Sequence, residues 1–385
     1  METPPHTKNK ILPHEGLSFD DVLLLPSYTD FKRKDVDLTT RIHKKIVLKL
    51  PVISSPMDTV TEKQMAIVMA QHGCLGIIHR NLPIEKQAAI IQEIKRTKVT
   101  DKKSAALDIK GRLLVGAAVG VGDDFESRVK KVIEAGSDIV VLDSGHGHSA
   151  FIMRAVESIK KHYAHVVVMA GNVATYEGAR DLIRSGVDVL RVGMGPGSIC
   201  TTRIVTGVGV PQLTAISQAV QAATKTASNA VTVVADGGVR QIGDMAKALA
   251  FGASAVMLGS LLSRFDESPG EVISINGKRY KRYRGMGSIA AMKKGAAERY
   301  GQSTRATSRM LIAEGIEGMV PYKGKVSDYL YQIEGSLRSS LYYLGAHTIE
   351  EFARRAVAIP VSRAAFVESH PHSVIIKDPG DNYTI

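Results

Sequence analysis

Cys200 is the residue of this chain best placed to act as a nucleophile. It ends a run, Val192-Gly193-Met194-Gly195-Pro196-Gly197-Ser198-Ile199-Cys200, that leaves a predicted strand with three glycines at alternating positions and continues into Thr201-Thr202-Arg203. Glycine puts no Cβ in the way of a bound group and tolerates φ > 0. Its N–H groups can form an anion nest or, turned the other way, its carbonyls can face a cation. Beside Ser198 and Cys200 such a loop reads as a phosphate cradle next to a thiol nucleophile. The plain alternative is a glycine-rich strand-to-helix turn with a buried cysteine. Cys74, just after a helix-ending glycine, reads as inert core.

The bulk of the sequence narrows what such a thiol could serve. A chain of 385 residues, 44% hydrophobic and 23% charged, has a soluble globular composition and room for one large domain or two ordinary ones. No apolar run reaches the roughly 20 residues that span a bilayer, and residues 1–16 are polar, without a signal-peptide core. Two cysteines make no disulfide framework, so a reducing, cytoplasmic setting is expected. The net charge of +12 raises nucleic acid as a partner. Lysine and arginine are scattered, however, crowding only at 41–45 and 278–284, and neither run has an RNA-binding pattern of aromatics. Phosphorylated small molecules suit the same charge.

The elements that must position the loop follow a rhythm. Short, β-branched, almost continuously apolar runs lie at 51–54, 75–79, 113–119, 138–142, 166–170, 187–192, 231–235 and 255–258, as parallel strands buried on both faces require. Amphipathic segments alternate with them at 62–71, 84–94, 124–135, 176–185, 213–226 and 242–251. Gly73, Gly136, Gly186 and Gly252 follow helix ends as αL caps. Eight β-then-α units predict a single-domain (β/α)8 TIM barrel spanning 1–385; an open doubly wound sheet lacks its Gly-x-Gly-x-x-Gly turn. In a barrel, chemistry sits just after the strands. Polar and small residues do gather there, at 54–58, 79–81, 143–148, 171–173, 193–200, 236–238 and 259–260, although Asp58 or Asp236 alone could be a helix N-cap.

Two stretches depart from a minimal barrel. Residues 98–111 form a short, lysine-rich link before the third strand. Residues 263–325 make an excursion after the eighth, with an Asn276-Gly277 hairpin turn, a second glycine-rich loop at 283–288 and a polar span, 292–313, without apolar period, as expected of a mobile flap. Two helices split at Gly345 follow within 326–358, and 368–372 reads as an extended terminus.

With Gly195-Pro196-Gly197-Ser198-Ile199-Cys200-Thr201-Thr202 and matching stretches at 54–61, 143–148, 235–238, 283–288, 299–300, 314–318 and 368–370, the chain resembles bacterial-type inosine-5′-monophosphate (IMP) dehydrogenases over nearly its whole length. The resemblance implies a (β/α)8 barrel that assembles as a homotetramer and oxidises IMP to XMP with NAD⁺. Most members carry a regulatory pair of CBS modules where this chain has only 98–111, so control by purine nucleotides through them is not expected.

The resemblance also implies roles. Cys200 would add to C2 of the hypoxanthine; Arg299 with Tyr300 would activate water for hydrolysis, and Thr202 with Glu314 would give a second proton route. Ser55, Met57, Ser198, Asp236, Gly237, Gly238, Gly259, Ser260, Tyr283, Arg284, Gly285, Met286, Gly287 and Glu314 would hold IMP. Asp143, Ser144, Gly145, Asn172, Arg191, Gly193, Met194 and Gly195 would face NAD⁺. Gly195, Gly197 and Cys200, with Glu368, Ser369 and His370 of a neighbouring subunit, would form a K⁺ site. GMP reductase shares the barrel and the cysteine loop; the Arg299-Tyr300 flap and the helical tail favour the dehydrogenase. A nucleic-acid-binding role is the non-enzymatic alternative.

Overall fold

The computed structural model describes residues 11–227, 231–302, 307–377, 380 and 382–383. All eight anticipated strands are present: β1 (Val52–Ser54), β2 (Leu75–Ile78), β3 (Gly116–Val119), β4 (Ile139–Asp143), β5 (Val167–Val173), β6 (Val189–Val192), β7 (Thr232–Asp236) and β8 (Ala255–Leu258). Each pairs in parallel with its neighbours and β8 pairs with β1, closing the barrel. Helices Lys63–Gln71, Ile84–Arg96, Phe125–Glu134, Ala150–His162, Tyr176–Arg184, Gln212–Ala227 and Ile242–Ala250 surround it. Four of the strand-to-strand crossovers end their helices on Gly73, Gly136, Gly186 and Gly252, with φ of +77°, +97°, +92° and +95°.

Strand alternation builds the interior and also the mouth. Ile53, Leu75, Ile77, Ala118, Ile139, Val141, Val167, Met169, Val189, Val234, Ala255 and Met257 share one buried cluster with Ile42, Ile46 and Leu48. The last three belong to a hairpin, Thr40–His43 with Ile46–Leu48, so that hairpin plugs one end. Continuing the same period of two past Val141, Val189 and Val234 brings the chain to Asp143, Arg191 and Asp236. The alternation that fills the core with valine and isoleucine thus delivers three charged side chains to the open end.

Asp143, Gly171, Asn172 and Asp236, expected just after their strands, are strand residues. Hydrogen bonds of the charged network described below hold the strands in register beyond their apolar parts.

The 98–111 link is a compact turn. The buried Lys95 ammonium donates to Asp108 (3.1 Å), Asp138 (2.6 Å) and the Leu113 carbonyl (2.9 Å). Asp108 also accepts from the Arg112 backbone and side chain.

After the barrel, β9 (Val272–Ile275), β10 (Lys278–Arg284) and β11 (Glu317–Pro321) form an antiparallel sheet, with Asn276 and Gly277 at φ +50° and +76° in the hairpin turn. Two helices, Val326–Tyr343 and Ile349–Arg355, flank Gly345 as expected.

The span 292–313 is not without secondary structure: helix Ile289–Lys293 runs into it and a 3₁₀ turn covers Ala296–Tyr300. Met292, Ala296, Ala297 and Leu311 are buried. Two short helical pieces around Gly295 (φ +121°) never share one period, which hides them from pattern reading. Within the span, 303–306 lie outside the described residues. Nor is 368–372 wholly extended, because Glu368 ends a helix, Arg363–Glu368, that Ser362 caps by accepting from the Ala365 N–H.

Candidate active site

A cavity of about 170 Å³ opens at the mouth of the barrel, lined by the loops after β1, β6, β7 and β8 and by the excursion that follows. Cys200, Thr202, Glu314, Arg299 and Tyr300 all line it. So do Ser55, Met57, Ser198, Asp236, Gly237, Gly238, Gly259, Ser260, Tyr283, Gly285, Met286 and Gly287.

Around the thiol, donors point one way. The Cys200 thiol donates to Thr202 Oγ1 at 3.2 Å, and that hydroxyl donates to Glu314 Oε2 at 2.8 Å. Residues 112 positions apart meet because the excursion returns alongside the cysteine loop. The Thr201 N–H donates to the Glu314 carbonyl, and the Ile316 N–H to the Ile199 carbonyl, both at 3.0 Å. Sulfur, hydroxyl and carboxylate make a path along which a proton can leave the thiol.

The charged network at the strand ends forms the opposite wall. Arg191 reaches Asp143 at 2.5 Å and Asp236 at 2.8 Å; Asn172 donates to Asp236 at 2.8 Å. In register, Gly171 lies between Asp143 and Arg191. A Cβ there would stand 2.8 Å from Arg191 Cβ and closer still to its carbonyl, so only glycine lets the arginine cross. Arg191 and Asp143 are both buried, and each is matched by an opposite charge, as buried charges must be.

Arg299 completes this wall from the flap. Its guanidinium pairs with Asp143, and its carbonyl accepts from the Gly145 N–H at 3.0 Å. Burial pushes the guanidinium below its ordinary value. Tyr300 opposes that, and paired with Asp143 the guanidinium remains a cation. Its Nε is buried and has no hydrogen-bond partner among the described residues. Burial also pushes the Tyr300 phenol up.

The far side of the cavity is lined by small and polar residues. Gly237 and Gly238, both with φ near +80° (+83° and +81°), follow β7, and Gly259-Ser260 follow β8. Loops after the seventh and eighth strands are where barrels of this type hold phosphate. Tyr283 reaches this side from β10; burial pushes its phenol up, against a hydrogen bond with Ser198.

Of the set expected to face a dinucleotide, Gly145, Asn172, Arg191, Gly193, Met194 and Gly195 line the cavity. Asn172 Oδ1 is buried there without a partner among the described residues, as a site awaiting a donor would be. Asp143 and Ser144 do not line it: the first is consumed by its two arginines, and the second donates to the His146 carbonyl. Arg284 also departs from expectation. Both ends of its guanidinium donate to Asp58, away from the cavity. Burial pushes Asp58 up, but these bonds outweigh it and hold it below the usual carboxylate range.

Gly195, Gly197 and Cys200 are together on the loop, whereas Ser369 and His370 of the same chain line a separate cavity with Asp20 and Phe366. Of the polar residues after β2, His79 bonds Glu62 and Asn81 donates to Asp58, so they brace the mouth rather than line it. Sequence reasoning missed Val239 and Arg240 and gave no lining role to Ile199 or Gly315, all of which line the cavity. Arg240 stands two positions past Gly238 and extending that loop would have found it; the pairing of Gly315 with Cys200 has no local signal.

Residues 16–372 match the family model described as "IMP dehydrogenase / GMP reductase domain". Among curated proteins, the inosine-5′-monophosphate dehydrogenase of Cryptosporidium parvum is 44% identical over 399 residues, covering 96% of this chain and 98% of that one. That of Borreliella burgdorferi is 43% identical over 402 residues (95% and 98%). That of Aquifex aeolicus is 38% identical over 486 (96% and 98%), so it carries insertions this chain lacks.

Proposed function

The chain belongs to the IMP dehydrogenase / GMP reductase family, and from that premise we propose that it is an NAD-dependent IMP dehydrogenase, oxidising IMP to XMP in guanine nucleotide synthesis through a covalent adduct on Cys200. The observation that carries this reading is the Cys200–Thr202–Glu314 path within a cavity that also holds the phosphate-type loops and the Arg299–Tyr300 pair.

The chemistry follows from the purine. Hydride cannot leave an unactivated sp² carbon, so C2 must first become tetrahedral. Cys200 loses its proton along Thr202 towards Glu314, and the thiolate bonds to C2. The C2–H bond then breaks with its electron pair, and C2 remains bound to sulfur as a thioimidate. NAD⁺, when bound, supplies the acceptor for that hydride. Water adds to C2, the C–S bond breaks, and XMP and the thiolate separate.

Each part of the cavity has a place in this sequence. Ser198, Gly238, Gly259, Ser260 and Tyr283 donate to the phosphate, and Asp236 accepts from the ribose hydroxyls. Ser55, Met57, Met286 and Gly287 border the base. Asn172, with its unpartnered Oδ1, and Arg191 and Gly193 to Gly195 hold the nicotinamide ribose side. Arg299 and Tyr300 cover Gly145 on that same side. The flap and the dinucleotide therefore use one wall in turn, the flap serving hydrolysis after the reduced cofactor leaves. For Arg299 to take a proton from water it must first give up Asp143.

K⁺ would be coordinated by carbonyls of Gly195, Gly197 and Cys200, completed by Glu368, Ser369 and His370 of a neighbouring copy in a homotetramer. The separation of these two groups within one chain supports the need for that copy. On this reading residues 98–111 take the place of the regulatory insertion, and relatives aligned over 399 and 402 positions support a short form without it. Among the described residues no helix is long and apolar enough to cross a membrane; a cytoplasmic site is part of the proposal.

Incubation with IMP plus NAD⁺, and separately with GMP plus NADPH, tests the assignment. NADH formation in the first mixture is expected; turnover only in the second makes the chain a GMP reductase.

A further inference from the structure

The cysteine loop leaves the barrel at Val192 and returns at Gln212, and two side chains tie its ends together. Arg203, on the short helix Thr202–Thr206, donates from Nε to the Met194 carbonyl at 3.0 Å and from Nη2 to the Val210 carbonyl. One rung below, Gln212 donates from Nε2 to the Val192 carbonyl at 3.0 Å and to the Asp236 carbonyl at 3.1 Å. Cys200 hangs in the middle of the lariat so formed.

The sequence around Arg203 is shaped to admit it. A Cβ on Gly195 (φ +77°) or on Gly209 would each stand 2.6 Å from Arg203 Cγ, so the arginine stem threads between two glycines. Only a planar, forked cation can serve carbonyls at both ends of the loop; lysine offers a point charge that reaches one. Burial pushes Arg203 below its ordinary value, and negative charge at Cys200 opposes that. Gln212 is 2% exposed, and both its acceptors are carbonyls, which fixes its amide with the NH₂ inward and leaves Oε1 buried without a partner among the described residues.

We infer that Arg203, backed by Gln212, is a positioning residue that latches the neck of the nucleophile loop and thereby sets where Cys200 stands over the substrate. This rests on Cys200 being the nucleophile. The phosphate and ribose groups lie mostly on other loops, so loosening the neck should misplace the sulfur while leaving most of the substrate's grip. Gln212 adds a link to β7, since its second acceptor is the carbonyl of Asp236.

The test compares the full-length chain with Arg203→Met and Arg203→Lys. Arg203→Met should keep a cooperative melt, lose about 100-fold in kcat and shift the KM for IMP by no more than about threefold; Arg203→Lys should fall between the two. Iodoacetamide gives a readout independent of turnover: the rate of Cys200 alkylation should change by about tenfold or more in Arg203→Met, with buried Cys74 as the internal reference. Wild-type kcat in Arg203→Met, a loss confined to KM, or an unchanged alkylation rate would each overturn the latch. If the wild type itself fails to oxidise IMP, the functional assignment falls, and the alkylation rates still decide whether Arg203 positions Cys200.

Discussion

The Arg299 guanidinium rests on the Asp143 carboxylate, the same carboxylate that Arg191 reaches at 2.5 Å from the sixth strand. One acid therefore ties the flap to the barrel wall. Asp143 stands at the end of β4 by strand alternation, and Arg191 also pairs with Asp236 at 2.8 Å, a contact that does not involve the flap. The flap's anchor is part of the fold rather than an accessory to it.

Asp143→Asn keeps the shape of the side chain and removes its charge. With Asp236 still paired to Arg191, the fold should survive. The flap loses its counter-ion and the dinucleotide side loses its order, so the KM for NAD⁺ should rise and hydrolysis of the adduct should slow, each by about tenfold. Steady-state titration of NAD⁺ and single-turnover decay of the adduct measure the two effects. If both stay within about twofold of wild type, the anchor has no part in the cycle.

Glu314→Gln still accepts a hydrogen bond from Thr202 but cannot take a proton. A loss of about 10- to 100-fold in kcat is expected. Burial pushes Arg299 down from its ordinary value, so its neutral form becomes more available as pH rises and less so as pH falls. The Glu314 route therefore matters more at low pH, and the penalty should widen as pH falls from about 9 to about 6. A penalty flat across that range would mean the two groups do not share the proton work.

Asp108 holds the short link at 98–111. Burial pushes its carboxyl up, but the Arg112 backbone N–H, Lys95 and the Arg112 side chain prevail and leave it at about 2. A carboxylate lowered on folding stabilises the protein above its unfolded value of 3.8, and that contribution fades as pH falls towards about 2. Because Asp108 is partly screened by solvent, the contribution is at most about 1 kcal/mol. Asp108→Asn should lower the melting temperature at neutral pH, and the gap to wild type should narrow on acidification. A gap constant between about pH 6 and pH 3 would assign the loss to something other than this charge.

How far the sequence could be read depends on the range of each interaction. Strand periodicity and helix-ending glycines are local, and the eight strands emerged within a few residues of their places. The cysteine loop was legible because Gly193 to Cys200 carries its chemistry in adjacent positions. Arg299 was marked by its dipeptide, but its partner Asp143 lies 156 residues away and only the closed barrel brings them together. Arg203 looks like a solvated helix charge until Gly195 and Gly209 are seen on either side of its stem. Arg284 shows the opposite case: it ends β10 beside the glycine-rich stretch at the cavity, yet its guanidinium lies on Asp58, a partner 226 residues away.

The covalent role of Cys200 is tested most directly by rapid mixing of Arg299→Ala with IMP and NAD⁺. A burst of about one NADH per site should precede a near halt, and mass analysis of the quenched protein should find the purine nucleotide on the peptide containing Cys200. Cys200→Ser should bind IMP and give neither burst nor adduct. Sustained NADH formation by Cys200→Ser would contradict the account.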